Sequence, residues 1–397
     1  MFGKLFGGSG NKKPAHQKTD ITRRFNLIGR VGQGSMSKVW KAVDLLTGKS
    51  VAVKVLEKEK TAKFESRFQG LHKPSEGEVA LSLNHPNIVR TFEFGWTTDD
   101  EMFLVMEFVE GVGLALLVDL QNEEMKRYRL RYMIQIGDAL DHFHQQNWIH
   151  RDICPRNVMI SDEKTAKMID FGLAVPNTPE FRRPGNRTGT ASYMAPELIK
   201  RQPTDQRIDI FSYAVTCFEM YTRRFPWDAG LTIDAALQHI NKPPIQLTTL
   251  VPTVDKQIAA AIMKGLESDP DRRWQSIADM VNEIREAEAR LVRAARAAQA
   301  ARARASGMTP AEELPVRPPA LLPSEKEDSE SHAPARHSDS ALSDSALSDS
   351  ALSDSALVPS RPPKLDPRTQ ARTAKKATKS KRRSADDDVD LNEMFGD

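Results

Sequence analysis

Cysteine is nearly absent: Cys154 and Cys217 are the only two in 397 residues. That excludes a disulfide-stapled secreted fold and fits a reducing compartment. Long apolar runs are missing too. No stretch approaches the roughly 18 consecutive apolar residues of a membrane-spanning helix. The densest, residues 208–221, contains Asp209 and Glu219 and reads as a buried helix. The opening Met1-Phe2-Gly3-Lys4-Leu5-Phe6 lacks the apolar core of a secretory signal, and Gly3 stands too late for myristoylation. Nor is one charge in excess. With 57 Lys and Arg against 54 Asp and Glu, the net charge is +3, so no global field draws the chain to nucleic acid. These absences predict a cytoplasmic protein with no membrane span.

What is present is unevenly spread. Residues 1–23 are Gly-, Lys- and Ser-rich and read as a flexible segment, whereas 24–285 mix strand-like and helical patterns with short turns and read as one folded domain. Residues 286–305 form a basic stretch rich in Ala and Arg, a composition of high helix propensity. From 306 to 397 the chain turns to Pro, Ser, Ala, Asp and Lys with almost no aromatics. Such a tail cannot bury enough surface to offset chain entropy and is expected to be disordered. It repeats Ser-Asp-Ser-Ala-Leu four times over 338–357. Units this short and polar match no stacking solenoid. They read as a solvated linker, with a docking or phosphorylation array as the alternative. A basic block at 375–383, followed by Asp386-Asp387-Asp388, reads as a solvated polyampholyte. Its alternative is a surface for partner proteins, anionic lipid or nucleic acid.

Within the folded part, strand patterns fit residues 25–28, 39–43, 51–56, 89–94 and 102–108, with a helix between the third and fourth that ends near Leu83. After Gly111 the period changes. Tyr132, Met133, Ile136, Leu140 and Phe143 recur at helical spacing, and helices also fit 208–221, 258–266 and 277–305.

The chemistry concentrates in His150-Arg151-Asp152-Ile153-Cys154-Pro155-Arg156-Asn157 and, further on, Asp170-Phe171-Gly172. An aspartate, an asparagine five residues later and a second aspartate beyond suit ATP-dependent phosphoryl transfer. One carboxylate orients the acceptor hydroxyl; the amide and the other carboxylate hold Mg²⁺ against the phosphates. Upstream, Val31-Gly32-Gln33-Gly34-Ser35-Met36-Ser37-Lys38-Val39 lies between two predicted strands, and Lys54 follows within Val51-Ala52-Val53-Lys54. Glycines there let backbone amides approach phosphates.

These motifs, in this order, resemble the eukaryotic-like serine/threonine protein kinases, and the variants look bacterial. The resemblance covers about 24–285. It implies an α+β, two-lobed protein kinase fold, β-rich N-lobe above a helical C-lobe, with Mg²⁺ (or Mn²⁺) and ATP between them. By resemblance, residues 31–39 cover the nucleotide, and Val39 and Ala52 sandwich the adenine. Met106 backs the pocket, Glu107 and Phe108 offer backbone hydrogen bonds, and Met159 adds to the lining. Lys54 pairs with the α/β-phosphates and with an acidic partner, Glu76, with Glu78 as the rival because Pro74 and Gly77 flank Glu76. Asp152 is the base or orienting carboxylate; Asn157 and Asp170 are metal ligands. Thr190, in Gly189-Thr190-Ala191-Ser192-Tyr193-Met194-Ala195-Pro196-Glu197, bridges Asp152. Glu197 pairs with Arg273, and Asp209 holds the catalytic loop. Arg151 beside Asp152 implies control by loop phosphorylation, with Thr188 favoured over Thr178 as acceptor.

Two departures matter. Ser37 replaces the third glycine of the loop. Where such kinases place lysine two residues after the aspartate, this chain has Cys154; Arg156, at the offset used by tyrosine kinases, is expected to take its role. Cys154 also keeps alive a rival reading, an ATP-binding pseudokinase-like scaffold. The main expectation is an enzyme that phosphorylates protein Ser and Thr hydroxyls and its own activation loop.

Overall fold

The structure, a computed structural model, describes residues 18–33, 37–68, 70–184, 188–227 and 242–305. Gly34, Ser35, Arg187 and the tail with its repeats lie outside the described residues. After a short helix, α1 (Ile21–Arg24), come β1 (Phe25–Gln33), β2 (Ser37–Asp44), β3 (Ser50–Leu56), β4 (Thr91–Trp96) and β5 (Met102–Glu107). They form one antiparallel sheet in the order β1-β2-β3-β5-β4. Side chains alternate between the two faces of a strand. Val51, Val53 and Val55 of β3 therefore pack with Phe25, Ala42, Phe103 and Val105 on one face. Ala52 and Leu56 join Leu104 and Met106 on the other, in the main core. Lys54 shares that second face. Each well-buried Val or Phe contributes about 1.5–3 kcal/mol, so a slip of register by one residue, which would bring Lys54 to the wrong face, is strongly disfavoured.

Helix α2 (Lys58–Glu65) and α3 (Glu76–Leu81) lie between β3 and β4. Pro74 does not interrupt α3, because the helix starts after it. Ser75 is the N-cap: its hydroxyl accepts from the Glu78 amide at 3.3 Å while Glu78 Oε2 accepts from the Ser75 amide at 2.7 Å. This reciprocal box occupies Glu78 at the helix start, leaving Glu76 buried on the inner side. Gly77 is in the helix for want of room. A Cβ there would sit 2.3 Å from the Phe94 ring of β4.

The second lobe holds β6 (Gly111–Gly113), α4 (Leu114–Leu120), α5 (Glu123–Gln145), β7 (Trp148–Ile149), β8 (Val158–Ser161), β9 (Ala166–Met168) and β10 (Val175–Pro176). Then follow α6 (Pro196–Ile199), α7 (Arg207–Thr222), α8 (Leu247–Leu250), α9 (Lys256–Gly265) and α10 (Ile277–Ala305). Asn122 caps α5 by accepting from the Met125 amide, and Met125, Tyr132, Met133, Ile136, Leu140 and Phe143 are buried along one side. Helix α7 is buried all round from Ile208 to Phe218, as expected of a central core helix. The two small sheets, β6-β8-β9 and β7-β10, bracket the loop between β7 and β8. Helix α10 runs without a break through residue 285, where the folded domain was expected to end, and its residues 289–302 are exposed. No helix among the described residues is long and apolar enough to cross a membrane.

Adding a methyl group at position 77 should force α3 away from β4. Gly77→Ala is expected to cost about 1–3 kcal/mol, read as a lower urea midpoint; an unchanged midpoint would show that Phe94 can move aside.

Candidate active site

Three charged groups meet between the lobes. β3 delivers Lys54, whose Nζ donates to Glu76 Oε1 at 2.6 Å and to Asp170 Oδ1 at 2.9 Å. Glu76, rather than Glu78, is thus the residue brought to Lys54. Burial disfavours the ammonium, but the Asp170 and Glu76 carboxylates outweigh it and hold Lys54 above the ordinary lysine range. Burial also pushes the Glu76 carboxyl up against the pull of Lys54, while for Asp170 the lysine wins over burial and its carboxyl is held below the usual range.

The loop between β7 and β8 presents Asp152 with both oxygens engaged. Oδ1 accepts from the Thr190 amide at 2.9 Å and the Thr190 hydroxyl at 2.8 Å; Oδ2 accepts from Asn157 Nδ2 at 2.8 Å. Asn157 Nδ2 also reaches the Asp152 carbonyl at 2.8 Å. Thr190 is held close by Gly189, whose φ of +122° only glycine adopts freely and whose missing Cβ would lie 2.4 Å from the Arg151 carbonyl. Exposed Arg156 donates from Nη2 to Thr190 Oγ1 at 3.1 Å. Cys154 is 1% exposed, and burial, with Asp152 alongside, pushes its thiol up to about 12.

Asp209, at the first turn of α7, fixes this loop from below. Its carboxylate accepts from the amides of His150 and Arg151 at 2.8 Å each and lies 2.9 Å from His144 Nε2. Burial pushes the Arg151 guanidinium down to about 10, against the pull of Asp209. Phe171 stacks on Phe143, 5.9 Å between ring centroids, with His150 edge-on at 5.8 Å, which ties the Asp170 segment to α5. Arg273, 1% exposed, grips Glu197 with both guanidinium nitrogens at 2.7 and 3.1 Å. It also donates to the carbonyls of Glu267 and Arg207, so this buried pair is fully hydrogen-bonded.

Asn157 and Asp170 suit a hard divalent cation. Asn157 spends its amide NH₂ on Asp152, which leaves its carbonyl oxygen to bind. The Asp170 side chain is 38% exposed with only Oδ1 engaged among the described residues. Oxygen donors of this kind fit Mg²⁺ or Mn²⁺. Above them, Val39 lies opposite Lys54 and Ala52 opposite Met106 in the ladder. Gly32 is paired with Val39, Val31 is exposed, and Phe108 and Met159 are half-buried. The Glu107 amide N–H is already spent on the Arg90 carbonyl at 2.9 Å, so only its carbonyl can serve a ligand.

Residues 25–284 match the protein kinase domain family. The chain belongs to that family. The kinase domain is 30% identical over 270 residues to the serine/threonine-protein kinase PrkC of Bacillus subtilis, covering 67% of this chain and 41% of PrkC. It is 31% identical over 268 residues to PknB of Mycolicibacterium smegmatis, covering 66% and 42% respectively. The chain thus spans about two fifths of the length of these curated relatives.

Some features of the kinase domain were not expected. Thr188, favoured as a phosphate acceptor, is 5% exposed, and its hydroxyl is enclosed without a hydrogen bond among the described residues. Arg182, in the same segment as Thr188, donates to Asn177 Oδ1 at 2.8 Å. His144 was missed; a histidine among the apolar positions of α5 was the available signal. Also missed was the Tyr193 hydroxyl donating to Glu219 at 2.5 Å, with Arg156 close enough to draw on the Glu219 charge.

Removing one partner of the Arg273–Glu197 pair strands a buried charge. Glu197→Ala should cost about 3–5 kcal/mol in urea unfolding; a loss below 1 kcal/mol would mean that water reaches Arg273. Burial also holds His85 and His150 below the ordinary histidine range. Unfolding lets both take up protons, so this contribution is complete above about pH 6.5 and is lost as the pH falls. The Tm should therefore drop between pH 7 and 5, and drop less steeply in His85→Gln. Parallel profiles for the two proteins would exclude His85 as a source of the drop.

Proposed function

We propose that this chain is an active serine/threonine protein kinase that moves the γ-phosphate of ATP to hydroxyls of protein substrates. The observation that carries the reading is the fully engaged Asp152 carboxylate, set by Thr190 and Asn157 beside the Lys54–Asp170 contact. A carboxylate locked in this way can meet an incoming hydroxyl, orient it toward the phosphate and take its proton. Lys54, kept charged by Glu76 and Asp170, would bind the phosphates between nucleotide loop and β3. A divalent cation held by Asn157 and Asp170 would neutralise phosphate charge. Asp209 and the Arg273–Glu197 pair act only through position.

Arg156 supplies the second cation. Cys154 is buried and neutral and can give no charge, whereas Arg156 is exposed and lies one hydrogen bond from Thr190. A cation about 4 Å from a phosphate charge is worth roughly 4 kcal/mol of gross Coulomb energy at an effective dielectric near 20. Loop autophosphorylation at Thr188 belongs to this reading too, but only in an opened loop, since the hydroxyl must first leave its enclosure.

The test is transfer of labelled γ-phosphate by the full chain with Mg²⁺ or Mn²⁺, followed by phosphoamino-acid analysis. Phosphoserine and phosphothreonine are expected, with Asp152→Asn about 10²- to 10⁴-fold slower. ATP binding without transfer would favour a scaffold instead. Arg156→Ala should lower kcat about 10²-fold or more, and adding Cys154→Lys should restore part of it; unchanged kcat in Arg156→Ala would remove Arg156 from the mechanism.

A further inference from the structure

We propose that Lys41, Phe108 and Glu110 form a strap across the adenine side of the cleft, closed over an empty and an occupied cleft alike, which must part each time a nucleotide enters or leaves. This rests on the kinase reading and adds to it a gate on nucleotide exchange.

The strap spans the two lobes. Lys41 lies two residues beyond Val39 on β2, so strand alternation puts both side chains on one face. In the ladder Lys41 stands opposite Ala52, and Ala52 opposite Met106. Lys41 thus continues the row of two residues that the resemblance assigns to the adenine pocket. Its ammonium lies 2.5 Å from Glu110 Oε1 and 4.3 Å from the centroid of the Phe108 ring. Phe108 and Glu110 follow β5 on the way to the lower lobe. There the Glu110 carbonyl accepts from the Asp162 amide at 3.0 Å, and Gly111 pairs with Ser161 of β8. One end of the ion pair is therefore fixed to the upper sheet and the other to the lower.

Neighbouring charges are committed elsewhere. Glu107 Oε1 accepts from Lys167 Nζ at 2.7 Å and from the Arg90 amide at 2.8 Å, so it is not open to Lys41. Lys38, the other lysine of β2, alternates to the opposite face and lies 3.8 Å from Glu57. The strap itself is built to open. Its Glu110 side chain is 63% exposed, and neither an exposed ion pair nor a cation on an aromatic face is strong. The two contacts can break and re-form without unfolding, yet together they slow opening about 3- to 30-fold. A strap that closes equally over both states has no differential affinity for nucleotide. It therefore sets the rates of exchange and leaves Kd alone.

The experiment uses the full chain with Mg²⁺ and a fluorescent ADP analogue. Stopped flow follows its association and its displacement by excess ADP, and competition gives the Kd of unlabelled ADP. Beside the parent run Lys41→Met, Glu110→Gln and the charge exchange that combines Lys41→Glu with Glu110→Lys. Association and release should both be about 3- to 30-fold faster in Lys41→Met, which loses both contacts, and about 2- to 5-fold faster in Glu110→Gln, which loses the ion pair. Kd should stay within about twofold of the parent, and the charge exchange should recover part of the slow exchange. The ratio of Glu110→Gln to parent rates should shrink between about 0.1 and 1 M salt, as the Debye length falls from about 10 to 3 Å. Equal rates in the parent and both single variants overturn the strap while sparing the kinase reading. A raised Kd with unchanged association makes Lys41 a nucleotide contact and overturns the gate. A charge exchange as fast as Lys41→Met overturns the ion pair as the cause. Failure of the parent to bind ADP overturns the nucleotide site and the strap together.

Discussion

The geometry of the candidate site hangs from one carboxylate. Asp209 is fully buried, and two backbone amides and an imidazole converge on it. Just past the second of those amides the chain takes an unfavourable turn: Arg151 has φ +71°, a left-handed conformation that costs a side-chain-bearing residue about 1–2 kcal/mol. Two charge-assisted hydrogen bonds, each worth about 1.5–3 kcal/mol, are enough to hold it. Past that turn the Asp152 carboxylate meets Thr190 and Asn157, while Arg151 itself stays buried. Without that anchor, Thr190 and Asn157 would have no fixed carboxylate to bind.

A second constraint joins the lobes. Lys54 comes from a strand of the upper sheet, Glu76 from a helix packed on that sheet, and Asp170 from the segment below. Because the ammonium is shared, displacement of α3 would disturb Lys54 and Asp170 together. The packing of Gly77 on Phe94 and the Ser75–Glu78 cap therefore bear on the cleft although neither touches it.

Much of this was legible in the sequence because the motifs are local. Asp152, Asn157 and Asp170 sit within one short stretch, and strand alternation alone puts Lys54 on the face of Ala52 and Leu56. The choice between Glu76 and Glu78 was harder. Pro74 and Gly77 looked hostile to a helix until the cap and the Phe94 contact explained both. Burial that depends on distant segments was not legible: the enclosure of Thr188, the turning of Arg182 toward Asn177, and the Tyr193–Glu219 contact all arise from chain folding back over long separations. His144 escaped notice for the same reason, since Asp209 lies 65 residues away. The continuity of α10 past 285 reflects helix propensity that no tertiary contact interrupts.

Cys154 has a pharmacological corollary. A cysteine two residues from Asp152 looks like a handle for covalent inhibitors. Burial pushes its thiol up to about 12 and leaves it 1% exposed, so thiolate is scarce at neutral pH and a reagent has almost no approach path. Electrophiles aimed at this kinase domain should therefore spare it, and the loop should be resistant to oxidants that disable enzymes with accessible thiolates near their substrates.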